Sequence, residues 1–447
     1  MADDTLFEMP EKQAPKPEPQ TRPDEARIYR ADRFQIEWAP RSLDSTIPEK
    51  HTVRAIWAMV EGLDLTEFYG SIKAVEGRAG HPATDPQVLL ALWVYATTEG
   101  VGSARQLARL CEEHDAYRWL RGGVPINYHM LSDFRIEHQA ALSDLLTGIV
   151  ASMMSEGLVT LHEVSQDGMR TRASAGASSF RRRPTLERCL EEAQQQVERL
   201  TQECQHPDPG VNRREQAARL RGARDRQRRV EQALEKMPAV EAAKEKQRKT
   251  LSKDKRDKVG EPRVSTTDPE VRVIKMPDGG FRPAYNLQFA TDVENQVIVG
   301  VDVTTQGTDY GQAPLMVEQI VERTGRQPEA YLMDGSFPCL EDVTTLEQAG
   351  IPVYAPVRPP RTETSGRDRF DPRPGDSPEV VVWRARMKTV EAKEIYKERA
   401  ATSECVNARA RQHGLTHLLV RGTQKVLSVL LLLAVSHNLL RWIALRS

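Results

Sequence analysis

Cysteine is scarce in this chain. Cys111, Cys189, Cys204, Cys339 and Cys405 are odd in number, scattered, and never paired as C-x-x-C. That argues against a disulfide framework or a structural zinc site and fits a reducing cytoplasm. Net charge is also nearly absent: 63 Lys and Arg against 64 Asp and Glu leave -1. Any contact with nucleic acid must therefore come from local patches. The N-terminus is acidic and has no apolar core, so it does not read as a signal peptide. The apolar stretch from Val426 to Val435 is about ten residues long, short of the ~20 a membrane span needs. It reads as a buried helix, and no membrane association is expected. What remains is 447 residues, 39% hydrophobic and 28% charged, the composition of a soluble protein of about three structural units.

Pro10, Pro15, Pro17, Pro19 and Pro23 lie among charges, so residues 1–40 read as a disordered tail. Residues 41–155 read as helices. Asp85 and Pro86 make an N-cap and first-turn pair, Ser103 caps a second helix through Glu113, and Asn127 caps a third. Short helices with tight turns suit a DNA-binding helix-turn-helix unit and suit a packing or dimerisation bundle equally.

From residue 156 strands begin. Leu161 to Ala173 carries Asp167. Pro283 to Asp292 alternates Tyr285, Leu287 and Phe289 with polar residues, and Gln296 to Thr305 alternates Val297, Val299, Val301 and Val303. Asn295 supplies turn chemistry between them. A helix from Asp309 to Arg323, a strand Ala330–Met333, a helix Leu340–Gln348 and a strand Ile351–Val357 follow. Three antiparallel strands, then helix, strand, helix, strand and a C-terminal helix, is the order of an RNase H-like α/β domain with a mixed five-stranded sheet. Residues 156–184 and 259–447 would form it, interrupted by 185–258 between its first and second strands.

That interruption reads as a charged helical hairpin broken at Pro207, Pro209 and Gly210. Arg213 to Arg229 holds eight arginines against Glu215 and Asp225. A solvated coiled-coil face explains any one of them. The cluster, with Arg181, Arg182 and Arg183 before it and Arg224, Arg226, Arg228 and Arg229 within it, suits a surface that tracks DNA phosphates.

Tyr396, Arg399, Glu404 and Arg411 stand at steps of 3, 5 and 7, which ~100° per residue keeps on one side of a helix. An aromatic, two cations and a carboxylate make an odd structural face but a sensible grip on a phosphodiester. Asp167 in Val-Ser-Gln-Asp-Gly and Asp334 in Tyr-Leu-Met-Asp-Gly each stand in or at the end of a strand. Three such carboxylates can hold two divalent cations ~3.5–4 Å apart, and hard oxygen ligands suit Mg²⁺ or Mn²⁺. Asp292 and Asp302 are rival strand carboxylates, and Glu391, Glu394 and Glu398 are rivals to Glu404.

The spacing Tyr396-x-x-Arg399-x-x-x-x-Glu404, ending at Arg411, resembles the tyrosine-arginine-glutamate-lysine signature of DDE transposases encoded by bacterial insertion sequences. Leu419-Val-Arg-Gly422, Lys425-Val426 and Ser436-His-Asn438 are similar to that family's C-terminal stretch. Asp167-Gly-Met-Arg170 and Met333-Asp334-Gly-Ser-Phe337 resemble its two aspartate motifs. Pro48-Glu-Lys-His51, Phe68-Tyr69 and Asp85-Pro86 resemble its helical N-terminal domain. The resemblance implies Asp167, Asp334 and Glu404 as catalytic metal ligands, with Tyr396, Arg399 and Arg411 supporting the phosphate. It implies hydrolysis at element ends, strand transfer into target DNA, double-stranded DNA as partner, a homo-oligomer on DNA, no small-molecule cofactor, and a cytoplasmic, nucleoid-bound location. Arg411 departs from the usual lysine, Asn407 from an aromatic, and Ser336-Phe337 from Gly-Tyr. A catalytically silent DNA-binding derivative and a non-transposing nuclease of the same fold are the alternatives.

Overall fold

Proline and side-chain caps set the first helices. Asp85 accepts the Gln87 N–H at 2.9 Å ahead of Pro86, Ser103 accepts from Gln106, and Asn127 accepts from His129 and Met130. Each satisfies amides that a helix start leaves orphaned. The computed structural model describes residues 40–72, 82–206, 212–256, 259–335, 339–359 and 368–446. The expected tail lies largely outside these residues, and so do the Pro-Gly break of the hairpin and Ser336-Phe337. Among the described residues seven α-helices come first: α1 (Thr52–Glu61), α2 (Thr66–Gly70), α3 (Pro86–Thr98), α4 (Ala104–Glu113), α5 (Asp115–Arg121), α6 (Tyr128–Glu137) and α7 (Gln139–Ser155). Trp93 of α3 is buried and donates its indole N–H to Leu131 O of α6 at 2.9 Å.

The sheet is built from β1 (Val164–Arg172), β4 (Arg272–Lys275), β5 (Phe281–Asp292), β6 (Val297–Thr304), β7 (Tyr331–Met333) and β8 (Val353–Tyr354); β2 (Phe180–Arg181) and β3 (Val264–Ser265) pair separately. Its order is β4-β5-β1-β7-β8, with β6 also on β5. β5 lies antiparallel to β1 and β6, and β7 and β8 run parallel to β1. Among the described residues this sheet has six strands rather than the expected five, because the four-residue β4 extends the edge beside the start of β5. β8 is shorter than Ile351–Val357, since Pro352 and Pro356 have no N–H to give a ladder. Helices α11 (Gln312–Thr324) and α12 (Leu340–Gln348) lie between the parallel strands, and α13 (Pro378–Lys388), α14 (Val390–Gln412) and α15 (Thr423–Arg446) follow.

Between β1 and β4 rise α8 (Arg183–Gln205) and α9 (Arg213–Thr250), with the short α10 (Lys253–Arg256) after them. Leu186, Ala193 and Leu200 repeat every seven residues on α8 and are buried, as are Ala223, Val230 and Met237 on α9. That is a two-helix seam.

The apolar run at 426–435 belongs to a helix of 24 residues, long and apolar enough to cross a bilayer by length and composition alone. Its apolar side chains are instead buried in one core with the N-terminal helices and the sheet. Asn438 clamps the outer edge of β6, accepting from Ile298 N and donating to Ile298 O, both at 2.8 Å. Gln319 does the same to Val301 from α11. Two amides thus satisfy an edge strand that would otherwise present bare backbone.

Candidate active site

Asp167 sits mid-strand, not in the turn that an Asp-Gly pair suggests, opposite Phe289 on β5. The parallel register of β1 with β7 pairs Gln166 with Met333. The next residues, Asp167 within β1 and Asp334 just past the end of β7, therefore reach the same level of the sheet. Helix α14 closes over them. Its buried residues include Arg399, Thr402, Ser403, Val406 and Asn407, a stripe at helical spacing. Ser403 Oγ meets Ser165 Oγ at 2.7 Å, fixing the helix to β1.

Arg399 joins the two carboxylates: Nη2 is 3.2 Å from Asp167 Oδ1 and Nη1 is 3.7 Å from Asp334 Oδ1. Asn407 Nδ2 donates to Asp167 Oδ2 at 2.7 Å. Burial pushes the Asp167 carboxyl up to about 6, with Asp334 adding repulsion and Arg399 opposing the shift. Tyr396 packs beside this group, its hydroxyl raised by burial and lowered by Arg399. Asp334 accepts the Gly335 N–H at 2.6 Å. Arg358 holds that turn, donating Nε and Nη2 to Gly335 O at 3.2 and 3.1 Å and Nη1 to Tyr310 OH at 2.9 Å.

The opposite face of β1 is polar and buried. Tyr331 OH donates to Gln166 Oε1 at 2.8 Å, and Gln166 Nε2 donates to Gln288 Oε1 at 3.0 Å. Gln288 Nε2 and Asn286 Nδ2 both donate to Asp309 Oδ1 at 2.7 Å. Gly168 is required here by close approach: a Cβ on it would lie 2.3 Å from Asp309 Oδ1 and 2.6 Å from Gln288 Nε2.

Glu404 and Arg411 lie on α14 but are exposed. Among the described residues no three His, Cys, Asp or Glu side chains stand together as a cation cluster. Of the rivals, Glu394 pairs with Lys397, and Asp292 is a structural cap that accepts the Thr160, Leu161 and Asn295 amides. The donor set still fits a small divalent cation. Asp167 and Asp334 offer hard oxygens, Asn407 Oδ1 is a buried acceptor without a hydrogen-bond partner, and a guanidinium already spans the two carboxylates. Arg358 and Asp309 were not singled out from sequence, and Asn407 was noted there as a departure from an aromatic rather than as a site residue. Only Asn407 carried a signal, as a departure eight residues from Arg399 on the inner face of the helix.

The hairpin arginines are largely engaged within the chain. Arg182 pairs with Glu261, Arg183 with Glu241, Arg226 with Glu192, and Arg228 and Arg229 both with Asp225. Arg181 and Arg224 are exposed.

Two family models match. One described as a transposase domain (DUF772) covers residues 41–137, and one described as a transposase DDE domain covers residues 377–443. Both matches are to transposase domains, the second a DDE domain, and they support a DDE transposase of an insertion element. The first match spans α1 to α6. The second spans α13, α14 and most of α15, and so includes Tyr396, Arg399, Glu404, Asn407 and Arg411. Asp167 and Asp334 lie between the two matched segments. No curated protein and no solved structure matches this chain. A DDE transposase is a DNA-processing enzyme whose family usually uses divalent metal ions, so DNA is its partner.

Proposed function

We propose that this transposase cleaves and rejoins phosphodiester bonds at its element's ends with Mg²⁺ or Mn²⁺, on an RNase H-like core. The order β6-β5-β1-β7-β8, three antiparallel strands and then two parallel ones, supports that fold reading. Arg399 carries the chemical reading: its cation bridges two aspartates from strands more than 160 residues apart in sequence. Asp167, Asp334 and Glu404 would hold two divalent ions, with Asn407 Oδ1 beside them. Bound ions supply activation of the attacking water or 3′-hydroxyl and stabilisation of the leaving oxygen in an in-line displacement. Asp167 must give up its proton to serve as a ligand, and Arg399 and Asn407 favour that charged form. Tyr396, Arg399 and Arg411 would orient the phosphate from α14. The working form would be a homo-oligomer on element ends and target DNA, at the cytoplasmic nucleoid.

The test is strand cleavage on the DNA that flanks the gene. Asp334→Asn should abolish cleavage in Mg²⁺ while leaving duplex binding nearly intact, because the metal site stabilises transition-state charge rather than reading sequence. Cleavage retained in that variant removes Asp334 from the site. Binding without cleavage by the unaltered protein supports a silent derivative.

A further inference from the structure

A cleft of about 750 Å³ opens where α6, α9 and the turn from Leu419 to Lys425 meet. Both family-matched segments and the inserted hairpin contribute to it. Its cations are Arg135, Arg228, Arg229, Lys236, Arg421 and Lys425. Arg135 is the unusual one. It is 6% exposed, lies over the Trp93 ring at 4.5 Å and donates Nη1 to Gly102 O at 2.5 Å, yet its Nε has no partner. No carboxylate among the described residues pairs with it. Arg229 Nε is likewise buried and unsatisfied. Four acids share the lining: Asp225 holds Arg228 and Arg229, Asp268 Oδ2 accepts from Tyr285 OH and Gly422 N while its Oδ1 has no partner, Glu270 accepts from Thr423 N, and Glu235 is exposed. A buried guanidinium without an anion is costly, and a phosphate is the anion its fork matches.

We infer that this cleft seats a backbone phosphate of duplex DNA, with Arg135 as its buried contact and Lys236 and Lys425 at its rim. The placement suits a strand running from the catalytic carboxylates. Tyr285, which anchors Asp268 at the cleft, pairs with Thr171. Thr171 lies four residues along β1 from Asp167, roughly 14 Å at strand rise and on the same face. The inference rests on the transposase reading for its ligand.

The test is fluorescence anisotropy of the full chain with an element-end duplex across a salt series, for Lys236→Ala/Lys425→Ala and for Arg135→Gln. The double variant should flatten the dependence of log K on log salt by roughly 1.8, about 0.9 per lost phosphate contact. Arg135→Gln should flatten it by about 0.9 and weaken binding about tenfold. Methylphosphonate linkages that weaken the parent protein should have no further effect in the variants. If Arg135→Gln does not fold, the rim variant decides. Unchanged slopes overturn the assignment and leave the cleft to an acidic protein segment. Duplex binding with these slopes but no cleavage by the parent protein would sink the enzymatic reading alone; intact cleavage with unchanged slopes would sink the cleft alone.

Discussion

Replacing Gly168 with alanine adds one methyl group to the centre of β1, and the structure fixes where it goes. The new Cβ would stand 2.3 Å from Asp309 Oδ1, 2.6 Å from Gln288 Nε2 and 2.8 Å from Asn286 Oδ1. Ordinary contact needs about 1 Å more. Asp309 cannot retreat freely, because Oδ1 accepts from both Asn286 and Gln288 at 2.7 Å. Moving it weakens two hydrogen bonds to a charged acceptor, each worth about 1.5–3 kcal/mol. Moving β1 instead overpacks the sheet at about 1–3 kcal/mol and shifts Asp167 away from Arg399 and Asn407. By either route Gly168→Ala should lose about 2–4 kcal/mol in urea unfolding and cut cleavage of element ends at least tenfold. Gly148→Ala is the control: it is exposed inside α7 with nothing within 4 Å of its Cβ, so it should gain about 0.5–1 kcal/mol. A Gly168→Ala midpoint indistinguishable from the parent, with Gly148→Ala behaving as stated, would refute the close-approach argument.

Asn407→Ala removes the 2.7 Å hydrogen bond to Asp167 and should raise the Mn²⁺ concentration for half-maximal cleavage about tenfold, as the loss of a ligand's orienting partner does; an unchanged requirement would make Asn407 mere packing. His437 is buried, donates its Nε2–H to Gln296 O at 2.8 Å, and burial depresses its pKa to about 4. Its folded pKa lies below its unfolded 6.5, so the unfolded chain binds more protons between pH 6.5 and 4, and stability falls as pH falls through that window. The full loss is about 3 kcal/mol. Asp167, raised to about 6, acts with the opposite sign between about pH 4 and 6, so the difference between the parent and His437→Gln isolates the histidine. Urea midpoints that keep the same difference at pH 7 and pH 4.5 would refute the assignment. Arg358→Ala frees the Gly335 carbonyl and should lower cleavage through a looser Asp334 while duplex binding holds; equal losses in both would point to general destabilisation.

What sequence disclosed was local. Asp85, Ser103 and Asn127 cap helices through amides two or three residues away, and the alternation of β5 and β6 is written in their own residues. Asp167 and Asp334 could be placed on strands for the same reason, and strand order then brings them level. The rest depends on partners far along the chain. Asn407 acts on a carboxylate 240 residues away, a partner that its departure from an aromatic flags but does not name. The need for glycine at 168 was not legible, because the side chain that crowds it, Asp309, is 141 positions on. The apolar run of α15 ended, in sequence, at Ser436-His437-Asn438, yet the helix continues: Ser436 donates to Leu432 O one turn back, and His437 and Asn438 find partners in the backbone of the β6 hairpin. Four residues of β4 are too few for a period to show.

The two faces of β1 therefore do different work on one strand. On one, Asp167 is left short of partners: it has an amide, a guanidinium and its own Gly168 N–H, and burial keeps its proton affinity high. On the other, Gln166 and Gln288 are joined by Tyr331, Asn286 and Asp309 in a continuous chain of hydrogen bonds. Within it only Asn286 Oδ1 is buried without a partner. An apolar layer would pack there without the ~1–3 kcal/mol risked at each polar atom, but it would allow β1 to slide. Directional bonds from β5, β7 and the Asp309 loop set the height of Gly168, and Asp167 is one peptide away. Positional error of 1 Å at a reacting centre is enough to cost about a hundredfold in rate. The polar layer is thus best understood as the mount of the carboxylate proposed for catalysis, which is why a methyl group on the opposite face of the strand is expected to disable it.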